Sequence, residues 1–353
     1  MASNDRGTEN WAGLAGELPS RVTAVLEPGA PVVVTGCAGF IGSTLTEALL
    51  ALGCRVTGVD AMTDYYDVAL KRENMAGFAG NPDFTFVEKH LEDVDAPGLL
   101  AGARAVFHLA AQAGVRASWG ASFADYVNWN IMATQRLLEA CKDPRVAPGL
   151  ARLVYSSSSS VYGDQEVMPV TEQALPQPRS PYGVTKMAAE HLCVLYAMNF
   201  AVPTSSLRYF TVFGPRKRPD MAFRKYIEAA LDGRVFEVYG DGDQTRDFTY
   251  VRDAVRSNLL AVSCDRAWEV FNTGGGSRVV FKDALAELQG ILVDLVPGLE
   301  AEIRYAETAK GDVRDTFADR THVEATIGYR PTVSFSEGLA REAAWAVARR
   351  SRK

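Results

Sequence analysis

The stretch PVVVTGCAGFIG, residues 31–42, constrains this chain more than any other. Three consecutive valines leave no polar face, which suits a strand buried on both sides of a parallel sheet. The strand runs into Gly36, Gly39 and Gly42, and then into IGSTLTEALLALG, whose apolar residues have helical spacing and a glycine stop. The texture repeats. CRVTGVD, FTFVEKHL, ARAVFHLAA, RLVYSSS and TSSLRYF read as further strands, with helices at FADYVNWNIMATQRLLEACK and from about Pro181. Strands alternating with helices predict right-handed βαβ crossovers and a doubly wound α/β fold.

Past Gly214 the pattern changes. GPRKRPD is a basic turn, AFRKYIEAALDGR is helical, and later segments (FEVYGDGDQTRDFTY, DALAELQGILVDL, AEIRYA) suggest a smaller α/β lobe. The expected division is an extension over 1–27 that adds little to the core, a nucleotide-binding domain over 28–213, and a substrate lobe over 214–345. Part of 245–275 is expected to return to the first domain.

At 353 residues, 47% apolar and 23% charged, the chain is not disordered, and its net charge of −6 argues against nucleic acid. No apolar run reaches the roughly 18 residues a membrane helix needs, and the N-terminus lacks the apolar core of a signal peptide. Cys37, Cys54, Cys141, Cys193 and Cys264 form no CxxC pair, and the four histidines no HExxH. Reduced thiols, no metal site and a cytoplasmic protein are expected.

Glycines at a strand–helix junction let backbone approach a pyrophosphate, which the helix N-terminus attracts. The spacing here is GxxGxxG, bracketing Phe40 and Ile41. Asp60 closes the second strand and can accept the ribose hydroxyls of NAD while repelling the extra phosphate of NADP; no arginine follows it. HLAAQ ends the fourth strand, so the backbone of Leu109, Ala110 and Ala111 is expected against the cofactor. Leu91, ending the third strand, belongs there too. His108 reads equally well as a packed strand residue.

Tyr182 and Lys186 form YxxxK, which brings both side chains onto one helix face. A free phenol is a poor base at neutral pH, since its pKa is about 10. A neighbouring ammonium favours tyrosinate. The preceding SSSSSVYG places hydroxyls at the carboxyl end of a central strand, where a reacting alcohol would sit.

Together TGCAGFIG, HLAAQ, SSSSSVYG, PYGVTK, LRYFTVFGP, GDQTRDFTYV and KGDVRDTFAD resemble the extended short-chain dehydrogenases that modify nucleotide sugars, over nearly all of residues 30–345. The resemblance implies a Rossmann-like domain, NAD, a UDP-sugar substrate and a homodimer formed through the helices beginning near Phe123 and Tyr182. It implies Ser158 as the hydroxyl aiding Tyr182, and Lys186 as the residue that also binds nicotinamide ribose. Asn130 matches a family asparagine near the active site. One departure is His90, where the family usually carries an aspartate for adenine.

Within the family, TDYYDVALKREN, AGVR and FTVFGPRKRPDMA look most like UDP-glucuronate 4-epimerases. By that resemblance Arg218, with Thr211, Ser159 and Ser160, would hold the sugar carboxylate. Arg246, Asp312, Lys225 and Arg116 would serve the UDP. A UDP-glucose 4-epimerase, a UDP-glucuronate decarboxylase and a non-catalytic NAD-binding regulator are the alternatives. A solvated basic turn is the alternative for Arg216, Lys217 and Arg218.

Overall fold

A computed structural model describes residues 9–307 and 311–352. Two short helices, α1 (Leu14–Glu17) and α2 (Ser20–Val25), precede β1 (Pro31–Thr35) and α3 (Phe40–Ala51). Next come β2 (Arg55–Asp60), α4 (Val68–Met75), β3 (Phe84–Glu88), α5 (Ala96–Leu100) and β4 (Ala105–His108). The helix expected over 123–142 divides into α6 (Phe123–Tyr126), a π-helical stretch (Val127–Met132) and α7 (Ala133–Cys141). Then follow β5 (Arg152–Ser158), α8 (Pro181–Phe200) and β6 (Thr204–Tyr209).

The second half is built from β7 (Val212–Phe213), α9 (Ala222–Leu231), β8 (Phe236–Tyr239), β9 (Thr245–Asp247), β10 (Thr249–Tyr250), α10 (Val251–Ala261) and β11 (Trp268–Thr273). It ends with β12 (Arg278–Val280), α11 (Phe281–Leu295), β13 (Ile303–Ala306), α12 (Thr321–Ile327) and α13 (Phe335–Arg350).

Seven strands form one sheet in the order β11-β6-β5-β4-β1-β2-β3, and every neighbouring pair is parallel. The valines of β1 explain the double winding. Val32 and Val34 enter one apolar cluster, with Leu45 and Leu49 of α3. Val33 faces the other, with Leu137 and Leu138 of α7 and Cys193 of α8. A strand's period of two thus feeds both layers. β11 extends the sheet beyond β6, and three two-stranded pairs (β10 with β7, β12 with β9, β13 with β8) shape the rest.

The N-terminal extension corrects its sequence reading. Residues 1–8 lie outside the described residues, but Trp11, Leu14, Leu18, Val22 and Leu26 are buried in the main core. Their spacing of three to four residues is an apolar helical stripe. The Arg252 guanidinium lies 4.6 Å from the Trp11 ring, and Glu17 pairs with Arg252 and Arg256. Among the described residues no helix is long and apolar enough to cross a membrane.

Candidate active site

Every residue expected around the cofactor lines a single crevice of about 240 Å³ at the carboxyl ends of the strands. Gly36 has φ +72°, and a Cβ there would stand 2.8 Å from the Ala110 nitrogen; one on Gly42 would stand 2.1 Å from the Gly36 carbonyl oxygen. Only glycine lets the loop, the end of β4 and the first turn of α3 close on one another. The N-terminus of α3 supplies unpaired amides and positive dipole to this crevice. Such a cradle fits a dinucleotide pyrophosphate.

Asp60 lies at the crevice edge, where its Oδ1 accepts from Met62 N (2.8 Å) and its Oδ2 from Ala38 N (3.2 Å). Lys71 of α4, buried, stands 3.5 Å from Asp60, and Asn74 donates to the Ala38 carbonyl at 3.0 Å. Helix α4 therefore steadies the glycine loop, a role the sequence reading did not assign. His90 packs against Trp129 with ring centroids 5.2 Å apart, and both line the crevice.

Tyr182 sits in the first turn of α8, started by Pro181 and capped by Ser180, whose Oγ accepts from Gly183 N at 3.1 Å. Tyr182 and Lys186 both face the crevice. Burial pushes the Tyr182 phenol above its ordinary value, while the Arg218 charge and a hydrogen bond with Ser158 pull it back. The cation opposing burial is thus Arg218, where the sequence pattern had pointed to Lys186. Lys186, with its Nζ 4.6 Å from the Tyr155 ring centroid, is pushed down to about 7 by burial.

A polar chain fixes this helix against the glycine-loop strand. The His108 ring nitrogens meet the hydroxyls of Thr35 (2.8 Å) and Thr134 (2.9 Å). Thr134 donates to the Asn130 carbonyl (2.6 Å). Asn130, in the π-helical stretch, exchanges two bonds with the Gln112 backbone (2.7 and 3.0 Å) and donates to Thr185 (3.0 Å). Burial, then Lys186, lowers His108 to about 3, so its ring is neutral. His108 is a packed strand residue with both nitrogens satisfied.

A second cavity, about 1330 Å³, adjoins the crevice and is lined by Arg116, Thr211, Arg218, Lys225, Arg246 and Asp312. Ser159 and Ser160 occupy the turn after β5 and line neither cavity. Arg116 pairs with Asp312 at 2.6 Å and lies 4.2 Å from the Tyr239 ring. Arg246 donates to the carbonyls of Thr245, Val313 and Arg314 at 2.8–2.9 Å, tying the Asp312 segment to β9. Lys310, first residue of the KGD motif, lies outside the described residues.

The basic turn is not solvated as a whole. Arg216 and Lys217 are buried; Arg216 bonds Glu47 at 2.7 Å, and Lys217 faces Glu342 at 3.9 Å. Arg218 alone of the three lines both cavities, held from Nε and Nη2 by Asp220 at 2.9 Å each. Tyr65 lines both as well. Sequence reasoning missed Tyr65, Lys71 and Asp220, although Arg-x-Asp is the spacing at which a guanidinium and a carboxylate can pair within a turn.

A solved structure of UDP-glucuronic acid 4-epimerase from Bacillus cereus, in complex with UDP-glucuronic acid and NAD, is similar to this chain. Identity is 41%, the TM-score is 0.84, and the match covers 90% of this chain and 99% of that one. An uncharacterized UDP-glucose epimerase, YtcB of Bacillus subtilis, is 38% identical over 89% of this chain and 97% of its own length. A UDP-glucuronate 4-epimerase of Thermodesulfobacterium geofontis is 35% identical over 89% and 95%. Residues 32–274, which include the glycine cradle and the YxxxK helix, match the NAD dependent epimerase/dehydratase family, and the chain belongs to that family.

Proposed function

We propose that this protein is an NAD-dependent epimerase acting at carbon 4 of UDP-glucuronate to give UDP-galacturonate through a transient 4-keto sugar. The observation that carries the substrate is Arg218, a guanidinium at the junction of the two cavities and close enough to Tyr182 to influence its charge. A hexuronate whose 4-hydroxyl meets Tyr182 brings its carboxylate to this junction.

NAD, held in the crevice, would supply the hydride acceptor and donor for carbon 4, so that the sugar could be oxidised and then reduced on its other face. The chain's own residues do the rest. Tyr182 takes the proton of the 4-hydroxyl and later gives it back, and the Ser158 hydroxyl steadies the phenolate oxygen. Lys186 holds nicotinamide ribose, and Asp60 the adenosine ribose. Asn130 positions α8 through Thr185. Arg246, Arg116 and Lys225 serve the diphosphate and Asp312 a uridine hydroxyl, with Thr211 at the sugar end; Ser159 and Ser160, in the turn that follows Ser158, stand outside both cavities and are given no contact with the carboxylate.

A 4-keto hexuronate is a β-keto acid and loses carbon dioxide most readily when its carboxylate bond aligns with the ketone π-system. A charge-assisted grip from Arg218 holds the carboxylate out of that alignment. Incubation with UDP-glucuronate and, separately, UDP-glucose, with identification of products and carbon dioxide, tests the assignment. Turnover of UDP-glucose alone supports the second reading, a UDP-glucose 4-epimerase, which the similarity to YtcB favours.

The same reading assigns 28–213 and part of 245–275 to the cofactor half and the remainder of 214–345 to the substrate lobe. It also takes the protein as a homodimer: Met132 beside α7, and Val184, Leu195, Met198 and Phe200 of α8, are exposed on neighbouring helices, Met198 by 67%. Sedimentation equilibrium tests this. All five cysteines are unpaired and buried, which suits the reducing cytoplasm.

A further inference from the structure

Two side chains, Arg218 and Tyr65, line both the crevice and the larger cavity, so the sugar bridging them must pass both. Arg218 is accounted for by the proposed substrate; Tyr65 is not. We infer that Tyr65 is a specificity-determining residue, its hydroxyl donating to the sugar carboxylate beside Arg218. This rests on the reading of the substrate as UDP-glucuronate.

The position of that hydroxyl is built. Gly114 has φ +106°, and a Cβ there would stand 2.4 Å from the Tyr65 hydroxyl oxygen, so this glycine keeps the space open. Tyr126 fixes the same loop by directing its hydroxyl at the carbonyls of Ala113 (2.9 Å) and Gly114 (2.8 Å). The Tyr65 ring packs edge-on to Tyr66, centroids 6.5 Å apart.

The bond the hydroxyl makes is a weak one. It donates to Asp220 Oδ2 across 3.4 Å, while each Asp220 oxygen already accepts from Arg218 at 2.9 Å. A carboxylate arriving beside Arg218 offers the phenol a better acceptor at the cost of a long bond to an oxygen that is already paired. Burial keeps this phenol protonated, and hence a donor, at neutral pH. A neutral donor is also what the junction needs: Asp220 offsets part of the Arg218 charge, and the phenol adds attraction for a carboxylate without adding a further charge to desolvate.

The test is Tyr65→Phe, which removes one oxygen and keeps the ring packing. Steady-state kinetics are measured on UDP-glucuronate and UDP-glucose for wild type and variant, with NAD content measured after denaturation. The expected result is a ten- to hundredfold fall in kcat/KM on UDP-glucuronate, less than a threefold change on UDP-glucose, and unchanged NAD content. Equal losses on both sugars, or no loss on either, overturn the assignment to Tyr65 while leaving the substrate reading intact. A wild type without preference for UDP-glucuronate overturns the substrate reading itself, and the role of Tyr65 with it.

Discussion

Replacing Arg218 separates two duties that the geometry gives to one side chain. It is the strongest influence opposing the burial that raises the Tyr182 phenol, and it presents the guanidinium at the cavity junction, braced by Asp220 from Nε and Nη2. Arg218→Gln removes the charge; Arg218→Lys keeps it but loses the two-point brace. A hydrogen bond to a charged partner contributes about 1.5–3 kcal/mol, roughly ten- to a hundredfold in kcat/KM. Both variants are expected to lose that much on UDP-glucuronate. Only the glutamine variant should also move the pH profile. In the proposed mechanism Tyr182 acts as a base and must be deprotonated, so losing the cation should raise its pKa and carry the rising limb of kcat/KM to higher pH. Carbon dioxide release per epimerisation should rise in both as the carboxylate loosens. Initial rates from pH 6 to 10 on both sugars, with trapping of carbon dioxide, provide the measurement. A rising limb that stays in place in Arg218→Gln, with equal losses on the two sugars, would refute the reasoning and leave Arg218 a structural residue.

Tyr182→Phe should abolish turnover while NAD stays bound, as read by the absorbance of released cofactor; substantial residual activity would move the proton transfer to another group. Asp60→Ala should weaken NAD and, by leaving Lys71 without its carboxylate, raise affinity for NADP relative to NAD, as measured by calorimetry with each cofactor; an unchanged ratio would exonerate Asp60. His108 should make the fold acid-sensitive. Its pKa is about 3 in the fold and about 6.5 unfolded, so the unfolded chain binds the extra proton as pH falls between those values. Stability is intact above pH 6.5 and is lost progressively toward pH 3, by roughly 4–5 kcal/mol in full. Urea unfolding of wild type and His108→Gln across pH 4–7 should show a shallower slope in the variant; parallel slopes would mean that other groups carry the acid limb.

The parts of this molecule that could be read from sequence are those where backbone geometry dictates residue type. Gly36 and Gly42 are forced by approaches too close for any side chain, and the valines of β1 by a sheet covered on both faces. YxxxK was legible because a helix converts spacing into a shared face. What escaped depends on side chains meeting across distant segments: Tyr65 against Asp220, Lys71 against Asp60, Asn130 against Gln112 and Thr185. No periodicity encodes such meetings. The basic turn was ambiguous for the same reason, since three adjacent cations reach three different acids, Glu47, Glu342 and Asp220. The N-terminal stripe from Leu14 to Leu26 did carry a helical signal, diluted by Gly13 and Gly16 and by polar neighbours.

That N-terminal segment sets a condition on biosynthesis. Glu9 accepts from Tyr250 at 2.5 Å and from Arg341 of α13 at 3.3 Å, the latter contact spanning 332 residues. At a synthesis rate of about 5–20 residues per second, Glu9 leaves the ribosome roughly 15–65 s before its last partner. Until then the apolar cluster that takes in Trp11, Leu14 and Leu18 lacks Leu339 and Ala343 of α13, and that core is incomplete. Such late closure raises contact order and slows the final step of folding. A bulky fusion placed ahead of residue 9 would interfere at that step, lowering the yield of native protein without altering the rate of any enzyme that does fold.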